Sequence, residues 1–189
     1  MKLETDRIVL TPLTEADIEW TRRTRNEFHE YFYTEDYITK EQQRAWYERY
    51  KENSGHDYFF IIRKKGTNER MGTISLYNIS HSDRTAELGR IIVLQEFQGQ
   101  GYMEEAINLV FRVAFDDLRL YKIRLSTHLD NIQAISLYAK CGFKALTRPV
   151  ILLEKFNPGY DSKKPIVLMT YDTIDGGDGD YESQSSNIL

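Results

Sequence analysis

Gln95-Glu96-Phe97-Gln98-Gly99-Gln100-Gly101-Tyr102-Met103 decides how the rest of the chain is read. Before it, Thr85 to Leu94 is a β-rich run; after it, Met103, Ala106, Ile107, Val110, Val113 and Ala114 recur at helical period. A strand, a glycine loop and a helix therefore follow in order. Such a loop presents unpaired backbone N–H groups at the positive end of a helix dipole, a place for phosphate or pyrophosphate. Gly-x-Gly alone is equally at home in an ordinary tight turn. A dinucleotide fingerprint would need a third glycine where Glu104 stands, and no Gly-Lys-Ser or Gly-Lys-Thr occurs for a nucleotide P-loop.

Working outward, Lys122 to His128 reads as a strand and Asn131 to Lys140 as a helix closed by Gly142. Phe143 to Leu153 and Pro165 to Tyr171 read as two closing strands. Upstream, Tyr58 to Lys64 and Arg70 to Tyr77 flank the turn residues Lys65-Gly66-Thr67-Asn68, which is hairpin chemistry. Lys40 to Asn53 has helical spacing, with Thr39-x-x-Gln42 as a capping box. Ile8, Leu10 and Pro12 suggest a short edge strand, and Thr14 to about Thr24 a first helix. The sum is an α/β (α+β) fold, a mixed central sheet with helices on both sides.

The 189 residues hold 25 Lys plus Arg against 29 Asp plus Glu, 41% hydrophobic residues and one cysteine, Cys141. One soluble domain over residues 1–174 is expected. Four acids and no base fall in residues 175–189, where Gly and Ser dominate, so this segment is expected to be a disordered tail. The remaining body is neutral, which argues against a nucleic-acid partner. No apolar run approaches the roughly 18 to 20 residues of a membrane helix, and the acidic N-terminus is unlike a signal peptide. A cytoplasmic monomer or homodimer is expected. A single cysteine excludes an internal disulfide, and His29, His56, His81 and His128 lack metal-ligand spacing, so no metal is assigned.

The loop Gln98-Gly99-Gln100-Gly101-Tyr102-Met103 resembles the central motif of the Gcn5-related N-acetyltransferases, in particular the branch acting on ribosomal proteins, polyamines and amino sugars. Met103 departs from the motif's last position, and Gln95 stands where the family usually has proline. Asp130-Asn131-Ile132-Gln133-Ala134-Ile135-Ser136-Leu137-Tyr138-Ala139-Lys140-Cys141-Gly142-Phe143 is similar to the family's later motif, and Leu3-Glu4-Thr5-Asp6-Arg7-Ile8 to the opening of this branch. The resemblance spans about residues 3 to 173.

The resemblance implies acetyl-CoA as cosubstrate, its pyrophosphate on the N–H groups of Gln98 to Met103 and its pantetheine between two splayed parallel strands, paired with backbone around Ile92 and Val93. Asn131 is implied as a further cofactor contact, although it is equally an N-cap. Tyr138 is implied as the acid that protonates the leaving thiolate, with plain core packing as the other reading. Glu87, alternating with apolar neighbours on a central strand, looks like the residue that deprotonates the amine through water; a salt bridge to Arg84 or Arg90 is the alternative. His128 is a further candidate base. Between the first two helices, the aromatics Phe28, Tyr31, Phe32, Tyr33 and Tyr37 interleave with the acids Glu27, Glu30, Glu35 and Asp36, an arrangement able to hold an acceptor by stacking and charge. The expected acceptor is a small-molecule amine, an amino-sugar nucleotide or a polyamine. A protein N-terminus, or a non-catalytic acetyl-CoA-binding module, is the alternative.

Overall fold

The structure, a computed structural model, describes residues 3–32, 36–53, 55–145 and 166–173. The elements are β1 (Ile8–Pro12), α1 (Ile18–Glu27), α2 (Lys40–Glu52), β2 (Tyr58–Lys64), β3 (Arg70–Ser80), β4 (Thr85–Val93), α3 (Tyr102–Phe111), β5 (Lys122–His128), α4 (Ile132–Lys140), β6 (Lys144–Ala145) and β7 (Ile166–Asp172). They form a seven-stranded sheet in the order β1-β2-β3-β4-β5-β7-β6. The tail and the stretch after Ala145 expected to continue as a strand lie outside the described residues.

Local chemistry accounts for the helix ends. Thr39 accepts from the Gln42 N–H while the Gln42 side chain accepts from Thr39 N–H, so the expected capping box forms at α2. Asn131 caps α4 by accepting from Ala134 N–H at 3.1 Å. In α3 the buried residues Met103, Ala106, Ile107 and Val110 form one stripe, and the helix passes into a π-turn at Arg112–Asp117.

Two cores lie on opposite faces of the sheet. The larger joins α3 and α4 to Ile8, Phe60, Ile62, Ile74, Leu76, Leu88 and Ile123. On the other face α1 and α2 bury Leu13, Ile18, Tyr47, Phe59 and Ile61. That face also buries Asp17, 1% exposed, which accepts from Thr14, Arg63 and Arg70 at 2.7 to 2.9 Å. Alternate residues of β2 thus serve different cores, as period-2 geometry requires.

The centre of the sheet departs from regularity twice. β4 and β5 are parallel and pair only from Thr85↔Lys122 to Glu87↔Arg124; beyond that no pairs join them among the described residues, although β4 runs on to Val93 and β5 to His128. The strands therefore splay at their C-terminal ends. On its other side β4 carries a bulge: two steps along β3, Thr73 to Ser75, face three along β4, Ile92 to Gly89. Arg90 sits in the bulge with φ +50°, and its carbonyl accepts from the Thr73 hydroxyl at 2.7 Å. The extra residue reverses the parity of β4. Ala86 and Leu88 point into the larger core before it, whereas Ile91 and Val93 pack there after it.

Candidate active site

The splay opens beside the N-terminus of α3. Gly99 and Gly101 have φ of +72° and +82°, a left-handed backbone that glycine adopts without steric cost, and Gly101 is the N-cap. The first helical bond there is Glu105 N–H to Gly101 C=O, so the N–H groups of Tyr102, Met103 and Glu104 have no intrahelical acceptor. Side chains brace the loop: Gln98 donates to the Val93 carbonyl at 3.0 Å and Gln100 to the Glu96 carbonyl at 2.8 Å. Met103 points into the core. Two carboxylates in the first turn would oppose an anion, but Arg7 pairs with Glu105 and Lys140 with Glu104. Arg7 also lies over the Tyr102 ring and donates to the Gln100 carbonyl. The loop thus offers main-chain donors with its acids already neutralised, which suits a pyrophosphate.

Along the gap, Leu94 N–H bonds to Met71 C=O on β3, and the Ile92 carbonyl also faces β3, against Gly72. By alternation the backbone groups of Val93 and Ile91 face the gap. Ile92, expected to share in backbone pairing with the cofactor, therefore spends its backbone on β3; the bulge turns its side chain to the opposite face.

On that face lies a cavity of about 480 Å³, between α1, the α1–α2 connection, α2 and the sheet. Trp46, Phe59 and Ile92 form its apolar wall, Phe32, Asp36 and Tyr37 come from the connection, and Arg25, Arg49 and Arg90 supply cations. Asn26 exchanges two hydrogen bonds of 2.9 Å with the backbone of Ile38, which clips the connection across the cavity. Of the residues expected to hold the acceptor, Phe32, Asp36 and Tyr37 line it. Phe28 and Tyr31 do not: a 3-10 turn at His29–Tyr31 leaves Tyr31 62% exposed, and the two rings pack on each other 6.2 Å apart. Tyr33 and Glu35 lie outside the described residues. Trp46, Arg49, Phe59 and Arg90 escaped the sequence reading because they come from α2 and the sheet.

Glu87 lies on the cavity face, opposite Tyr77 of β3 in register. The Tyr77 hydroxyl is pushed above the usual phenol range by burial first and then by the Glu87 carboxylate beside it. Tyr77 covers Gly89, where a Cβ would come within 2.9 Å of its ring and hydroxyl. Arg90 pairs with Asp57 at 2.7 Å, so this cation's salt bridge goes elsewhere than Glu87. Tyr138, 7% exposed, packs in the larger core with its ring edge-on to Phe143 at 6.1 Å. Burial, and less strongly Cys141, raise its pKa, so the phenol stays protonated across the neutral range. His128 is buried at the end of β5.

Comparison with known proteins agrees with this geometry. The acetyltransferase (GNAT) domain matches residues 7–144. A spermidine N(1)-acetyltransferase of Escherichia coli (strain K12) is 29% identical over 138 residues, 72% of each chain. Among solved structures, spermidine N-acetyltransferase from Vibrio cholerae in complex with CoA and spermine superposes with a TM-score of 0.76 at 23% identity, covering 89% of this chain and 96% of that one. The apo form of FdhC, a nucleotide-linked sugar GNAT, gives 0.71 at 21% identity, covering 91% and 90%. The chain belongs to the GNAT acetyltransferases and is an acetyl-CoA-dependent N-acetyltransferase.

Proposed function

We propose that the protein acetylates a small-molecule primary amine which enters through the cavity between α1, α2 and the sheet. The observation that carries this reading is continuity: Arg90 and Ile92 line the cavity, and Val93, the next residue, faces the splay between β4 and β5. An amine in the cavity can thus meet a thioester held in the gap. A walled cavity of about 480 Å³ also suits a small molecule better than an extended peptide.

In this reading the N–H groups from Gly99 to Glu104 hold the pyrophosphate, and the backbone of Val93 and Ile91 pairs with pantetheine like an added strand. The amine nitrogen attacks the thioester carbonyl carbon, and the Val93 N–H stabilises the oxyanion, an effect worth about 3 to 4 kcal/mol per donor in acyl transfer. An alkylamine is mostly protonated at neutral pH, so Glu87, through water, takes the proton from the nitrogen. As the carbon–sulfur bond breaks, Tyr138 donates to the departing thiolate from the opposite face. The Asn131 carbonyl oxygen is committed to the N-cap, which leaves its NH2 for the cofactor. The catalytic unit is residues 1–174, with residues 175–189 outside the chemistry.

The test is incubation of the full chain with acetyl-CoA and a panel of amines, following free thiol and product mass. Thiol release matched by one acetyl group on an amine is expected. Acetyl-CoA binding without acetyl transfer to any amine would favour a non-catalytic module, and transfer only to peptide N-termini would remove the small-molecule acceptor.

A further inference from the structure

We infer that the acceptor amine also carries an anionic group, a carboxylate or phosphate, received in the cavity by Arg90 and Arg49. This rests on the proposed function and names its substrate class. Among the described lining residues, three guanidinium groups, Arg25, Arg49 and Arg90, face one carboxylate, Asp36. Arg25 is engaged with the connection, donating to the Asp36 carbonyl at 3.1 Å and lying over the Phe32 ring. Arg49 makes no ion pair among the described residues and is exposed.

Arg90 is the more specific feature. Its φ of +50° is unusual for a residue with a Cβ and is imposed by the bulge, which aims the side chain into the cavity. The rings of Tyr77, Trp46 and Phe59 surround the guanidinium, 4.5, 5.4 and 5.9 Å from its carbon. Asp57 takes only Nη1, at 2.7 and 2.9 Å. Nε and Nη2, the edge that matches a carboxylate or phosphate with two parallel bonds, have no partner among the described residues, and the side chain is 27% exposed. A cation fixed by aromatic walls and a single carboxylate contact, with its paired-donor edge open, is built to receive an oxyanion.

A polyamine suits this cavity poorly, because several ammonium groups would share it with three guanidinium groups, one of them paired with Asp57, and with one carboxylate among the described lining residues. The E. coli relative is named for spermidine; the inference is that this chain has parted from it in acceptor.

The test is calorimetry of the full chain saturated with CoA, which reads acceptor binding without turnover. The probes are glucosamine 6-phosphate against glucosamine, tyrosine against tyramine, and spermidine. The anionic member of at least one pair should bind about tenfold more tightly than its neutral partner, and that advantage should shrink with added salt. Which pair responds separates phosphate from carboxylate. Arg90→Gln risks the fold by leaving Asp57 unpaired, so Arg90→Lys, which keeps the charge without the fork, and Arg49→Gln are measured beside it. Each should reduce the advantage at least threefold with CoA affinity unchanged. Equal binding within both pairs, tightest binding of spermidine, or an advantage untouched by both Arg90→Lys and Arg49→Gln would overturn the inference. Failure of the enzymatic reading would look different: anion preference in binding, but no acetylated product from acetyl-CoA.

Discussion

Gly72→Ala would add one carbon where the bulge leaves no room for it. An ideal Cβ at residue 72 lies 2.1 Å from the Ile92 carbonyl oxygen and 3.1 Å from its carbon. Close C···O contacts run to about 3.3 Å, so the oxygen must retreat by roughly 1.2 Å. The obstacle is backbone in a paired strand, so no rotamer change relieves it. Moving Ile92 away from β3 strains the Thr73↔Ile92 pairing and the Leu94 N–H to Met71 C=O bond of 2.9 Å. Two or three buried backbone bonds at about 1 kcal/mol each give a loss of about 2 to 3 kcal/mol. For a domain of this size that lowers Tm by about 4 to 12 °C. Val93 moves with Ile92, and displacement of a reacting-site group by about 1 Å typically costs about 100-fold in rate. Thermal melts and steady-state kinetics read both effects. Gly66→Ala is the comparison: nothing lies within 4 Å of its Cβ, and φ of +92° leaves only backbone strain. It should cost about 1 to 2 kcal/mol and leave kcat/KM unchanged. If Gly72→Ala melts within 2 °C of the parent, a threshold set at roughly 0.5 kcal/mol, and keeps its kcat/KM, the close approach of β3 to the bulge is not what positions Val93.

Tyr138→Phe should lower kcat by about 100-fold with little change in acceptor KM, as expected for a group acting in the transition state. Because burial raises the Tyr138 pKa, the protonated donor persists as pH rises, and a basic limb below about pH 9 should survive in the variant, having another origin. Glu87→Gln should reduce kcat while acetyl-CoA affinity holds; an unchanged kcat would leave Glu87 as a partner for Tyr77 alone. Asp17→Asn should destabilise the fold by about 3 kcal/mol, read by denaturant titration, because Arg63 and Arg70 lose the negative charge they share and an NH2 donor replaces the oxygen that accepts from Thr14. Burial would raise the Asp17 pKa, but Thr14, Arg70 and Arg63 outweigh it and hold the group below its ordinary 3.8. Its contribution is therefore complete above about pH 4 and lost as pH falls through the lower folded-state value, so parent and variant should converge only in acid.

The elements fixed by local chemistry were legible in the sequence. Thr39 with Gln42, Asn131, and the two glycines of the loop each act through neighbours three or four residues away. Gly142, read as the end of α4, has φ +94° and lets the Tyr171 ring approach to 2.9 Å of where a Cβ would stand. The bulge was not legible. Alternation from Ala86 and Leu88 assigns Arg90 and Ile92 to the same core face, and one inserted residue sends both to the other side. Nothing in the run Gly89-Arg90-Ile91-Ile92 marks that insertion, since it is imposed by pairing with Thr73 and Ser75 far away in sequence. The lining of the cavity is only partly legible for a related reason. Composition drew attention to the aromatics and acids of the α1–α2 connection, whereas the cavity takes Trp46 and Arg49 from α2 and Phe59 and Arg90 from strands.

The most direct measurement is residue-resolved amide hydrogen exchange with and without acetyl-CoA. A cosubstrate lying on the α3 N-terminus and between the splayed strands should slow exchange at Ile91, Val93 and Gly99 to Glu104. Leu94 N–H, already bonded to Met71, should change little, as should the hairpin joining β2 and β3. Protection confined to other elements, or absent from both the loop and Val93 at saturating acetyl-CoA, would contradict the placement of the reaction in the gap between β4 and β5.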